Sequence, residues 1–306
     1  MRPMVTGSRR AIALLLGAAL LAAACGADGD RAEPADETTS TSGVAVGTQE
    51  PSATTLPGGG PGSGGGGPAG GGGAGGVVTT TTAATTAEAS VIAVGSRRVG
   101  EVAPPLLQPG RGDRVVLEVR AQAGAGPDAA TVDHVVQALR DASRKAVSVD
   151  GVDPLAGSAR DWTARDIVAA AAGAAQVESG RDQVVLRLLF LRGTFEGNAD
   201  ILGVAVSGDV AAVFSDRVDA AAGLLVAPAV VEDAVTMHEV GHLLGLVDLL
   251  LGSGRGDPEH PGHSRNRRSV MFWQVESGLI TQLLDGGIPR DFDADDRAEL
   301  AQIRAG

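Results

Sequence analysis

Apolar positions along the chain fall into three regimes. Residues 11–24 form an uncharged, mostly apolar run, residues 26–90 carry no hydrophobic period, and regular patterns begin near Arg114. Arg114–Arg120 (RVVLEVR) alternates, placing Val115, Leu117 and Val119 on one face of a predicted strand. Val132, Val135, Val136 and Leu139 recur at helical spacing and predict a helix over Asp128–Ala146, with His134 just off its stripe as a surface residue. A strand near Val147 and an Ala-rich helix over Trp162–Ala175 follow. Val184–Phe190 (VVLRLLF) is almost continuously apolar, the pattern of a strand covered on both faces. Ile201–Val206 and Val210–Phe214 read as two short strands around Ser207-Gly208-Asp209. The order predicts an α+β fold, α/β-like in its alternation, and residues from about 114 to 306 suffice for one core.

Composition shortens what 306 residues could hold. Fourteen of the 45 Gly lie between Pro57 and Gly76, where few apolar side chains could offset the entropy of ordering the backbone. Residues 25–90 therefore read as a Gly/Thr/Ser/Pro-rich tether with a root-mean-square span of roughly 40–50 Å, and residues 91–306 as one domain with its core at about 114–306. The net charge of −12 disfavours phosphate backbones, so nucleic acid is not an expected partner. One Cys excludes an internal disulfide framework, a thiolate zinc cage and an iron–sulfur cluster. No Tyr is present, which excludes any mechanism that needs a phenol.

Arg2, Arg9 and Arg10 precede the run Ala11–Ala24, which is too short to span a bilayer and fits the apolar region of an export signal. Leu21-Ala22-Ala23-Ala24-Cys25 resembles the lipobox of bacterial lipoproteins. That resemblance implies a signal peptide over 1–24, lipidation at Cys25 and an extracytoplasmic protein held at the cell membrane by acyl chains. Removal of three Arg would leave a net charge of −15.

The candidate chemistry lies on the next helix, which Pro228 can open. Val231, Val235, His238 and His242 recur at spacings of four, three and four, on one face. In His238-Glu239-Val240-Gly241-His242, histidines four apart stand about 40° apart around the axis and can reach one zinc ion. Glu239, 100° round, falls beside the metal's open face, where a carboxylate can take a proton from water. Gly245, three residues beyond His242, suits a left-handed helix stop.

His238 to Gly245 reproduces the HExxHxxG pattern and resembles the metzincin zinc peptidases. That family's usual third His falls here on Asp248, one candidate third ligand. The alternative is His263: His263-Ser264, four residues, then Ser269-Val270-Met271 is similar to the third-ligand and Met-turn segment of matrixin-like and archaemetzincin-like members. This second alignment needs an insertion of about 15 residues between Gly245 and His263, and it is the one preferred. Glu259 and His260 are lesser candidates, and Glu276 would be the third ligand in a zinc peptidase of another clan. The resemblance implies a metzincin-type zincin domain: a mixed twisted sheet with two packing helices, an active-site helix, a Met-turn with Met271 under the imidazoles, and a C-terminal helix. Asp293 is the expected cap of that last helix, with Asp295 and Asp296 in its first turn. Where many relatives place a Tyr after the Met, this chain has Phe272. The resemblance further implies one catalytic Zn2+, Glu239 as general base and a peptide or protein substrate extended along an edge strand within Ile201–Phe214. A non-catalytic tethered binding lipoprotein on the same scaffold is the alternative. Asp257 and Glu259, in the insertion at 249–262, are candidates for Ca2+, although a mobile polar loop accounts for them as well. Arg-Gly-Asp occurs at Arg111–Asp113 and Arg255–Asp257, as composition readily allows.

Overall fold

A computed structural model describes residues 92–224, 226–280 and 287–306. The export-signal and tether readings, with Cys25, lie outside the described residues.

Five strands build the main sheet: β1 (Arg114–Gln122), β2 (Ala146–Leu155), β4 (Gln183–Leu191), β6 (Gly203–Ala205) and β7 (Val210–Phe214), in the order β2-β1-β4-β7-β6. All neighbours run parallel except β6, which is antiparallel to β7 and forms one edge. Parallel neighbours need crossovers, and the chain supplies them as α2 (Ala129–Ser143) and α3 (Ala164–Ala174). Both helices start on side-chain caps: Asp128 accepts from the Ala130 amide, and Thr163 forms a reciprocal box with Asp166. Two short parallel strands, β3 (Arg160–Trp162) and β5 (Gly193–Phe195), form a separate ribbon.

The predicted strand over Ile201–Val206 shortens to β6. Leu202 donates its N–H to the Glu276 carbonyl, and an Ile201–Ser277 bridge adjoins that bond. Residues 200–202 are thus already paired with 276–278. β7 is interior, so within 201–214 the edge is β6. The core also begins earlier than Arg114. The short helix α1 (Ala103–Leu107) buries Ala103, Leu106 and Leu107 completely and packs on the C-terminal helix α6 (Ala294–Ala305).

β1 and β4 hide something that an apolar count misses. Glu118, Arg120, Arg187 and Asp209 are all buried on the sheet face away from the histidine motif. Arg187 bonds Glu118 at 2.8 Å and Asp209 at 2.9 Å, while Arg120 bonds Glu118 at 2.9 Å. Two charges of each sign cancel, and Glu118 also accepts the Gln176 and Val177 amides. Pairing of this quality offsets a desolvation cost of several kcal/mol per ion. His134, predicted to be a surface residue, is half-buried between Asp233 and Asp291. It lies beside the preceding stripe, where α2 meets the motif helix.

Candidate metal centre

The motif helix α5 (Pro228–Leu243) follows α4 (Ser215–Ala222) and is buried along Val231–Leu243. A one-faced stripe was expected. The helix is instead enclosed by β6 and β7, α2, α4 and the 3-10 turn η1 (Trp273–Glu276), so its polar face is buried as well. Its end is a Schellman motif: Gly245, at φ +78°, donates to the His242 carbonyl, and Leu246 donates to the Gly241 carbonyl. The chain then turns through two further left-handed residues, Val247 and Asp248.

That turn directs Asp248 away from the histidines. Its carboxylate accepts the Ser253 amide and hydroxyl and the Gly254 and Gly256 amides, which hold its pKa below the usual carboxylate range. The alternative third ligand thus organises the insertion. Arg255 pins that insertion to α6 through Asp296 at 2.7 Å and Glu299 at 2.6 Å, so the Arg of the second Arg-Gly-Asp is already paired. Asp257 accepts from the His260 ring and the Glu259 amide, and the His260 ring stacks on Trp273 with centroids 4.3 Å apart.

His263 is carried to α5 by a closed loop. Ser264 donates its amide to the Met271 carbonyl, and the Ser269 hydroxyl accepts the Met271 amide. This closure ties the residue after His263 to Met271, whose side chain packs against Gly241. A Cβ on Gly241 would lie 2.2 Å from the Met271 Sδ, so a bare glycine permits the packing. Centroids of His238, His242 and His263 lie 4.7–5.1 Å apart. His238 donates Nδ1–H to the Val270 carbonyl at 2.6 Å, which turns Nε2 into the group as a lone pair. The His242 Nε2 is 3.0 Å from it.

Glu276 completes the cluster. One carboxylate oxygen is 3.1 Å from the His263 Nε2 and the other 3.6 Å from the His238 Nε2. One ligand atom from each of His238, His242, His263 and Glu276 falls within 4.8 Å of all the others, a group that could hold a metal ion. Burial, with His238 and His263 beside it, lowers the His242 pKa well below the ordinary value, toward the neutral form that ligates. Burial opposes charge on His263, but the Glu276 carboxylate outweighs it and raises its pKa. Contacts with His238 and His263 likewise overcome burial and hold Glu276 well below the usual range. A proton on His263 satisfies Glu276 alone, whereas a divalent cation at the centre would satisfy all four groups at once.

Glu239 is fully buried, and neither carboxylate oxygen has a hydrogen-bond donor. Burial, then the Glu276 charge, pushes its pKa well above the usual range, while the nearby Ala205 amide opposes the rise. It sits against the sheet edge because Gly203 has no side chain: a Cβ there would lie 2.8 Å from a Glu239 oxygen and 2.6 Å from Val235. Gly203→Ala is therefore expected to force the carboxylate or the β6 edge aside at a cost of about 1–3 kcal/mol in stability, with metal affinity within about twofold. Thermal unfolding beside a metal titration measures the two effects separately.

The C-terminal helix α6 starts where Asp293 was expected to cap it, in a box with Asp296. Asp296 is buried and paired with Arg255, so it ties the insertion down besides serving the helix end.

Fold and centre together define a mixed α/β domain, with a mostly parallel sheet, that carries a three-histidine, one-carboxylate group able to hold a metal. No protein-family model matches the chain, and no curated protein does. Solved structures do show similarity. An archaemetzincin from Archaeoglobus fulgidus complexed with malonate is 16% identical, covering 62% of this chain and 99% of its own, with a TM-score of 0.37. One from Methanopyrus kandleri is 18% identical over 63% and 97%, with a TM-score of 0.42. A zinc-dependent peptidase from Methanocorpusculum labreanum is 17% identical over 60% and 99%, with a TM-score of 0.38.

Proposed function

We propose that this chain is a zinc-dependent endopeptidase held at the outer face of a cell membrane. The observation that carries the catalytic reading is the convergence of His238, His242 and His263 beside the buried, unpartnered Glu239. Zinc held by the three imidazoles would supply Lewis acidity toward a peptide carbonyl and the water that attacks it. The protein's own groups do the rest. Leu202 gives its carbonyl, and Val206 its amide, to β7; alternation turns the N–H and C=O groups of Gly203 and Ala205 to the open side. An extended substrate would pair there, antiparallel or parallel, as an added strand. Glu239, beside that edge and with its pKa raised, takes a proton from the attacking water and returns it to the leaving amine. His238 is held in one tautomer by Val270, and Met271 floors the site as an apolar support.

The same proposal assigns residues 1–24 to a signal peptide, Cys25 to lipid attachment, 25–90 to a tether and 91–306 to the peptidase domain. The acidic balance of the chain keeps nucleic acid off its partner list. The purified full chain should bind one zinc per molecule and cleave an unfolded protein at internal bonds. Zinc bound without any cleavage across broad peptide libraries would point instead to a non-catalytic binding protein. Radiolabelled fatty acid incorporated into the protein, and lost in Cys25→Ala, tests the anchor.

A further inference from the structure

Glu276 meets the histidines from an unusual side. A carboxylate that merely orients a ligating histidine bonds the nitrogen turned away from the metal. For His238 that outer nitrogen is Nδ1, and the Val270 carbonyl already holds it. Glu276 instead faces the Nε2 atoms of both His238 and His263, the sides that turn inward. A proton on the His263 Nε2 satisfies the 3.1 Å contact alone, whereas a carboxylate that also faces the His238 lone pair belongs with both rings around one cation. Three histidines and one carboxylate would fill the four positions that zinc takes when no place is left open.

The backbone holds Glu276 there independently of the side chain. Its carbonyl accepts the Leu202 amide at 2.7 Å, and Gly278 donates to the Asp200 carbonyl at 2.8 Å. The residue therefore stands on a segment stitched to the chain just before β6, where the free edge begins. Its side chain is 23% exposed, against 0% for His238, so it is the member of the group that solvent and an arriving peptide can reach first.

We propose that Glu276 is a fourth protein ligand to the bound metal in the resting protein, closing the position that peptide hydrolysis needs open. The carboxylate is then a built-in latch, displaced when a peptide pairs with β6 and presents its carbonyl to the metal. This rests on the peptidase reading of the same centre and adds to it a resting state that limits turnover.

Chelator competition on the full chain, with Glu276→Gln and Glu276→Asp beside the wild type, tests the ligation. Gln keeps the volume but ligates poorly, while Asp keeps the charge and falls one methylene short. Both are expected to weaken zinc binding at least about tenfold. An Asp variant that binds as tightly as wild type would show that only charge matters and overturn the proposal. The second readout is the visible spectrum of the cobalt-substituted protein titrated with acetohydroxamate. The hydroxamate must displace Glu276 in the wild type, so it is expected to bind Glu276→Gln at least about tenfold more tightly. Equal hydroxamate affinity in the two proteins would refute the latch. On zinc-saturated protein, kcat/KM for a short peptide should rise in Glu276→Gln, and a fall would make Glu276 part of the catalytic machinery instead. A wild type that takes up no metal would refute the peptidase reading itself. Normal three-histidine binding with no effect of Glu276 would refute the latch alone.

Discussion

Glu239→Gln is expected to lower peptide cleavage by about a hundred- to ten-thousand-fold while metal content stays at the wild-type level. The expected separation follows from geometry. Glu239 is not among the four convergent side chains, so its loss removes no ligand. Its carboxylate is nonetheless buried beside them and has no donor of its own. Burial and the Glu276 charge favour its protonated form, which places its affinity for a proton nearer the range in which it can both take and return one. Glutamine preserves volume and side-chain length but cannot accept the proton, so folding should be little affected. Turnover on a quenched fluorescent peptide, measured beside zinc content by atomic absorption, decides the matter. Cleavage within about threefold of wild type would remove Glu239 from the reaction.

The second large effect is expected at His263. His263→Ala should weaken zinc binding by more than about 100-fold, since loss of an inner ligand costs more than loss of an outer-sphere partner. Asp248→Ala should leave zinc affinity within about twofold. Its carboxylate is committed to the amides of the insertion, so the expected change is local loosening of residues 249–262, seen as faster amide exchange there. The opposite pattern, zinc lost with Asp248 and kept without His263, would select the other alignment. His263→Ala need not empty the centre, because Glu276 would still stand with His238 and His242. The double variant His263→Ala/Glu276→Gln should bind more weakly than either single one.

Local rules account for the legible part of this centre. Two histidines one helical turn apart must share a side of α5, and a glycine three residues later is suited to the left-handed stop seen at Gly245. The Asp293 cap and the buried run of β4 follow from equally short-range patterns. Patterns of this reach also made mistakes where a neighbour intervened. The strand expected from Ile201 begins at Gly203, because residues 276–278 claim the backbone before it. Arg187 stood out in an apolar run as one charged letter, and only β1 and the Ser207–Asp209 turn explain it.

By itself the sequence determined what depends on spacing along one element: the histidine pair, the neighbouring glutamate, the helix stop and the alternation of strands and helices. Tertiary structure alone decided what depends on chain closure over tens of residues. His263 rather than Asp248 joins the group because Ser264 pairs with Met271 while Asp248 is spent on its own loop. Glu276 enters because its backbone pairs beside β6, a contact across 74 residues that no periodicity encodes. Spacing sets angles within a helix, but which distant side chains meet is set by packing and by where the backbone's hydrogen bonds are satisfied.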